Sequence, residues 1–404
     1  MDTKPSRRSF FGKAAIAGGA ALAVNSVASA QAPSVKPSGK KHTSTVELMN
    51  VGAMCLKANS HLNGIWSPSI NPGMPKSWPV GRSTGMKITH CWDRDFDVAV
   101  DYAKTYGCEP VKNYYDMVGK VDGMIFGGFN EVKWWPQLSK PYLEAGIPCH
   151  LNRPFAYSMK AAKEIVERAK KYNTPILCTD EREYIKESRV ARQKVEQLIK
   201  EGKIIVGGSG TNAAAGEYPQ HGIHGLYFLL VVFGMDVKAV SLLADGWWRE
   251  KTKVVSKTMT WGILNLLYNG IDVPGVGKQE SPFIVSQHQK ASNSDASVNI
   301  HYTGKGGSII EGGNIEIEHH WDSGERFNRL FYLFYPTVIA MQRMFETREM
   351  QWSYDYILDK TRIFLTGFKS HLEHNGSMVN VADLPDDWEA PCPYPDWLDE
   401  SMFK

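Results

Sequence analysis

The sequence predicts an α/β protein, a doubly wound parallel sheet followed by an α+β part built on a large, mainly antiparallel sheet. Two observations predict it. Over the first half, short apolar runs alternate with helical patterns, the rhythm of a parallel sheet covered by helices on both faces. From Lys203 onward the strand candidates lengthen and follow one another with few helices between, the texture of an antiparallel sheet.

The first-half strands are expected at 46–52, 87–92, 123–127, 147–151 and 175–179. Helices are expected at 96–106, at 134–145 closed by Gly146, and at 158–172, where Ser158 is a suitable N-cap. A helix at 187–200, stopped by Gly202, leads into strand candidates at 204–208, 239–243, 297–302, 308–311 and 314–319. A long helix is expected at 354–373. The tail after it, with Ala390-Pro391-Cys392-Pro393-Tyr394-Pro395, must be extended.

Ahead of all this, Ser6-Arg7-Arg8-Ser9-Phe10-Phe11 precedes the small apolar run 14–27, and Ala28-Ser29-Ala30 offers the small side chains a signal peptidase accepts. This reads as a twin-arginine signal with the mature chain starting near Gln31, which implies a periplasmic or secreted protein, the twin-arginine export machinery as a partner, and no membrane association after cleavage. Such export carries folded cargo, so a cofactor inserted before transport is expected. The organisation is then a signal at 1–30, a linker at 31–45, a dinucleotide-type domain at 46–180, a substrate and oligomerisation domain at 181–375 and an extended tail at 376–404.

A net charge of +3 over 404 residues, with Lys and Arg spread along the chain, excludes the basic stripe that nucleic acid requires. The six cysteines, at 55, 91, 108, 149, 178 and 392, show no metal-ligand spacing, so buried free thiols are expected, with room for one disulfide in an oxidising compartment.

Four landmarks stand in order. Ala53-Met54-Cys55-Leu56-Lys57-Ala58-Asn59-Ser60-His61 follows the first strand, and Cys91-Trp92-Asp93-Arg94-Asp95 ends the second. Val121-Asp122-Gly123-Met124-Ile125 is followed by Leu143-Glu144-Ala145-Gly146-Ile147-Pro148-Cys149-His150 and then Asn152-Arg153-Pro154. The last is Gly222-Ile223-His224-Gly225-Leu226, with Phe233-Gly234 after it. This order resembles the glucose–fructose oxidoreductase, inositol dehydrogenase and MocA family (Gfo/Idh/MocA) from about residue 46 to 384.

The resemblance implies a Rossmann-like first domain, bound NAD or NADP, a carbohydrate or polyol substrate, and a homo-oligomer that the tail would clasp. Ala53, Cys55 and Ala58 then stand where the fingerprint glycines would meet the pyrophosphate, Asp93 and Arg94 where the ribose is held, and Asn152-Arg153 where the family reads Glu-Lys. The catalytic group would be Arg153, Gln220, His221 and His224. Arg153 grips an oxygen without exchanging its proton, Gln220 hydrogen-bonds without charge, and His224 is the general base, with His221 its neighbour one turn earlier and Glu217 a carboxylate close by.

Two readings compete. If the fingerprint reports lost cofactor binding, the cleft serves a redox-neutral lyase or hydrolase, with a metal on His221 and His224 that lacks an identifiable third ligand. In a non-catalytic sugar-binding relative, Trp134-Trp135, Trp247-Trp248 and His319-His320-Trp321 would stack on sugar rings, although core packing accounts for any one pair. The insertion 63–85, rich in Pro, Gly and Ser, reads as a lid or a surface loop.

Overall fold

A computed structural model describes residues 48–56, 62, 66–71, 85–128, 131–212, 218, 222–245, 261–270, 272–273, 277–278, 283–289, 296–305, 308, 311–319 and 326–391. The signal, the linker, most of the insertion and the Pro-rich stretch 392–395 lie outside them. Among the described residues no helix is long and apolar enough to cross a membrane.

The first half runs β1 (Met49–Met54), α1 (Ser67–Ile70), β2 (Met86–Trp92), α2 (Phe96–Tyr106), β3 (Glu109–Pro110), β4 (Gly123–Phe126), α3 (Trp135–Glu144), β5 (Cys149–Leu151), α4 (Met159–Lys171) and β6 (Ile176–Leu177). Its strands form one parallel sheet in the order β3-β2-β1-β4-β5-β6. The order reverses between β1 and β4, and beyond the carboxyl ends of the strands at such a switch point lies the crevice where ligands bind in open α/β sheets. Local chemistry sets the helix ends. The Asp95 side chain accepts the Asp97 N–H to start α2, and Gly107, at a φ of 68°, closes it in the left-handed conformation that a side chain resists. Ser158 caps α4 as expected, accepting the Ala161 N–H at 3.1 Å.

The second half begins with α5 (Lys186–Lys200), β7 (Lys203–Asn212), α6 (Ile223–Phe233), β8 (Val237–Asp245) and β9 (Trp261–Tyr268). A two-stranded ribbon, β10 (Asp272–Val273) with β11 (Gly277–Lys278), precedes β12 (Phe283–Gln289), β13 (Ala296–Lys305) and β14 (Gly313–His319). The last elements are α7 (Arg326–Thr347), α8 (Tyr354–Glu373) and β15 (Val379–Asn380). Seven of these strands make a second sheet in the order β14-β13-β7-β12-β9-β8-β15, antiparallel throughout except where β12 runs parallel to β7. Apolar helix α6 lies under its inner face. Gly208 and Gly210 of β7 leave the space that Phe233 and Leu229 fill.

Two expectations are corrected. The strand expected at 308–311 is not formed at its described ends: Gly304 N–H donates to Ser308 C=O at 2.6 Å and Glu311 sits in a turn. The half expected to hold few helices contains the 22-residue α7, which continues through Pro336. Proline removes a single backbone donor, and the buried stripe Val338, Met341, Met344 and Phe345 holds the helix against the rest of the protein. Phe345 reaches the first sheet, where a Cβ on Gly123 of β4 would stand 2.6 Å from its ring. The described part of the tail lies on its own chain, with Lys160 N–H donating to Asp386 C=O and Ala390 N–H to Tyr157 C=O, both at 2.8 Å, and Arg362 holding the Asp386 carboxylate; the Pro-rich stretch read as a clasp for a neighbouring subunit lies outside the described residues.

Helix α8 joins the halves through a buried charge. The Lys360 ammonium, fully enclosed, donates to both Glu183 oxygens at 3.0 and 3.1 Å and to Cys178 C=O at 3.0 Å, and lies 4.0 Å over the Tyr227 ring. Tyr356 O–H completes the shell of Glu183 at 2.9 Å. Lys360→Met would leave that carboxylate buried without its cation, and should lower the unfolding free energy by about 3–5 kcal/mol in urea titration, with Glu183→Gln added to it recovering part of the loss.

Candidate active site

The candidate site lies at the carboxyl ends of β5 and β6. A strand has to stop being apolar where it leaves the sheet, and here both do so abruptly. After Leu151 come Asn152 and Arg153, joined to Pro154 by a cis peptide bond; after Leu177 come Cys178, Thr179 and the charged run Asp180-Glu181-Arg182-Glu183. That run folds into a 3-10 turn locked by a capping box. Asp180 accepts the Arg182 N–H at 3.0 Å, and Glu183 accepts the Asp180 N–H at 2.6 Å and the Thr179 hydroxyl at 2.7 Å. Lys360 therefore anchors, through Glu183, the backbone that carries Asp180.

On this frame five side chains meet, all nearly closed to solvent. Asp180 Oδ2 stands 2.8 Å from Arg153 Nε and 2.5 Å from His224 Nδ1. Arg153 Nη2 lies 2.8 Å from His224 Nε2. Glu181 Oε1 is 3.2 Å from His224 Nδ1 and 2.6 Å from Arg182 Nη1. A guanidinium only donates, so Nε2 accepts from Arg153 and Nδ1 carries the proton, donating to Asp180.

Burial and the two guanidinium charges push His224 well below its ordinary value, against the pull of Asp180, so the ring is neutral at physiological pH. Burial disfavours charge on Asp180 too, but His224, Arg153 and Arg182 outweigh it and hold that carboxyl far below the usual range. Glu181 goes the other way. Burial first, then the neighbouring Asp180 charge, push it up to about 7, with Arg182 and Arg153 opposing.

Of the residues singled out in the sequence, Arg153 and His224 are thus brought into contact. Gln220, His221 and Glu217 lie outside the described residues, as do Ala58, His61, Trp247, Trp248, His320 and Trp321. Asn152 braces the site, its amide donating to Gly127 C=O at 3.0 Å and its oxygen accepting the Arg153 N–H at 2.9 Å. Trp134 and Trp135 are buried, as core packing requires. Five cysteines are described and all are free thiols. The carboxylates Asp180, Glu181 and Glu183 and the bases Arg182 and Lys360 were missed. The signal for the first four was present, since an acid–base run immediately beyond a buried parallel strand lies at the ligand-binding edge.

Asp180, Glu181 and His224 could each offer a ligand atom to a metal ion, supplying the partners that His224 lacked in the metal-dependent reading. Two arginines already neutralise the two carboxylates, so a dication there would be an uncompensated buried charge. The donor set favours the guanidinium pairs.

At the switch point, Cys55 takes a φ of 63°, the left-handed turn expected at a fingerprint glycine. Its side chain is packed away against Gly128, and burial, Glu131 and Asp93 push the thiol well up. Ala53 is buried in β1. The Asp93 carboxylate, expected to hold a ribose, braces the turn, accepting the Leu56 N–H at 2.6 Å and the Asp95 N–H at 3.0 Å; Arg94 beside it is half-buried. The left-handed backbone turn and the acid after β2 fit a dinucleotide, while Leu62 packs over Gly127 where a Cβ would stand. Cys55 and Glu131 narrow its middle.

No protein-family model and no curated protein matches the sequence. Solved structures do. Scyllo-inositol dehydrogenase from Lactobacillus casei with bound NAD(H) and scyllo-inositol superposes with a TM-score of 0.60 at 14% identity, over 83% of this chain and 100% of that one. The chain shares the inositol dehydrogenase fold. Myo-inositol 2-dehydrogenase from Lactobacillus plantarum gives 0.59 at 13% identity, over 83% and 99%. The WlbA dehydrogenase from Bordetella pertussis, in complex with NADH and UDP-GlcNAcA, gives 0.56 at 12%, again over 83% and 99%.

The two carboxyls at His224 affect stability with opposite sign. Asp180, held low, stabilises the fold above the ordinary carboxylate range and loses that contribution as pH falls through it. Glu181 is raised above its ordinary 4.5, so its contribution is whole below that value and is lost as pH climbs through about 7. Glu181→Gln should flatten the unfolding free energy against pH across that window in guanidinium titrations; an unaltered slope would assign it to other groups.

Proposed function

We propose that the chain is an exported oxidoreductase of the Gfo/Idh/MocA type, acting on a hydroxyl of a sugar, polyol or glycoside with tightly held NAD or NADP. The observation that carries this reading is the Asp180–His224–Arg153 array at the carboxyl edge of a doubly wound sheet. The shared fold of dehydrogenases bound to NAD(H) or NADH, with scyllo-inositol or UDP-GlcNAcA, supports the cofactor and the substrate class.

Asp180 fixes the ring so that the Nε2 lone pair points at Arg153. A substrate hydroxyl entering between them donates its proton to Nε2, while the guanidinium holds the oxygen as it becomes a carbonyl. The depressed basicity of His224 keeps the ring in its proton-accepting form. Arg153 supplies positive charge without competing for that proton. A dinucleotide would be held at the left-handed turn of Cys55 and would supply the hydride acceptor.

Export by the twin-arginine route to the periplasm or exterior belongs to the same reading, because cargo folded around its cofactor suits that route. So does a homo-oligomer formed on the outer face of the second sheet, where Leu243 and Ile284 are 48% and 46% exposed.

Protein purified from the cytoplasm of an export-blocked host and then denatured should release close to one nicotinamide dinucleotide per chain. Metal without dinucleotide would support the redox-neutral lyase or hydrolase, and neither would support a sugar-binding protein. His224→Ala should lower turnover by about 10²–10⁴ and leave dinucleotide content unchanged. Cys55→Gly should tighten dinucleotide binding in isothermal titration, and equal affinity would show that the thiol does not crowd the phosphates.

A further inference from the structure

The ring of His224 faces two carboxylates from one nitrogen, and their surroundings differ. Asp180 also holds Arg153 Nε, and taking up a proton would forfeit that contact as well as its hold on the imidazole. Glu181 is ion-paired to Arg182 through the same Oε1 that lies 3.2 Å from Nδ1. We propose that Glu181 is the proton store of this site, receiving the Nδ1 proton when Nε2 accepts one from substrate.

The inference rests on the dehydrogenase reading, and the step balances. The substrate O–H bond breaks and an Nε2–H bond forms. The Nδ1–H bond breaks and a Glu181 O–H bond forms, with the ring returned to neutrality as its other tautomer. The hydride, with its electron pair, leaves with the dinucleotide of that reading. Without the transfer, the site would hold an imidazolium between two guanidinium ions in a volume closed to water. The transfer replaces an imidazolium–carboxylate pair by two neutral groups, which a low-dielectric interior favours. It also relieves the repulsion between the adjacent carboxylates.

The groups that face Glu181 are Asp180 and Arg182 on its own turn, Arg153 beyond β5, and His224 on α6. Helix α7 packs on the same turn, and among the described residues no ion pair joins it to Glu181. The value of about 7 for this carboxyl agrees with a store that fills and empties near neutrality. Oxidation of the hydroxyl then requires Glu181 ionised and should rise with pH through that region, and carbonyl reduction should fall.

Two measurements on the full mature chain decide the matter. In the resting protein, infrared titration should reveal a buried carboxylic-acid band that grows as pH falls through about 7 and is missing from Glu181→Gln, while nitrogen chemical shifts show the His224 ring still neutral. A ring that becomes imidazolium with no such band overturns the proposal, whether or not the chain is a dehydrogenase. In turnover of a polyol with NAD, Glu181→Gln should lose the inflection and run at least about tenfold slower at high pH, with Glu181→Asp restoring a shifted inflection. An inflection that survives in Glu181→Gln also overturns it. Absence of turnover on every polyol tried would count against the dehydrogenase reading, and the resting titration would still locate the proton.

Discussion

Two arginines and two carboxylates enclosed around one imidazole must neutralise one another, and that requirement governs the structure. Ions taken out of water cost several kcal/mol each unless partners meet them in good geometry. Arg153 and Asp180 leave the sheet on adjacent strands, so their contact ties the ends of β5 and β6 together. His224 arrives from α6, beneath the second sheet, and closes the set. The ionic contacts therefore fix how the two halves of the chain meet.

The support beneath them follows the same logic. Asp180 is aimed by a turn, the turn is fastened by Glu183, and Glu183 is satisfied by Lys360 and Tyr356 from the last long helix. Apolar packing brings α8 into place, but the lysine sets its register, because a fully buried ammonium tolerates little displacement from its acceptors. Position is thus passed from the end of the sequence to a residue at its middle.

Much of the architecture was legible in the sequence. Alternating periodicities gave the parallel sheet, and helix signals as local as Ser158 and Gly146 were read correctly because a cap acts within one turn. Strand limits were less legible, since pairing partners decide where a strand ends; β7 extends to Asn212, well beyond its apolar run. Helix α7 escaped because Pro336 reads locally as a break while tertiary packing outweighs one lost hydrogen bond. At the site, His224 and Arg153 were legible through the family resemblance of the motif order. Asp180 and Glu181 were not, because the family order led to Gln220 for the acid. Only the three-dimensional closure of β6 onto α6 reveals that the carboxylate comes from a different segment.

Helix α8 has a consequence for biosynthesis. A ribosome delivers the first sheet early, with Glu183 awaiting a cation that lies 177 positions further along, and Tyr157 awaits its contact with Ala390, made later still. The nascent amino-terminal half cannot reach its final electrostatic balance while attached and partly synthesised. That balance is reached only once α8 has been made and has folded back onto the first half.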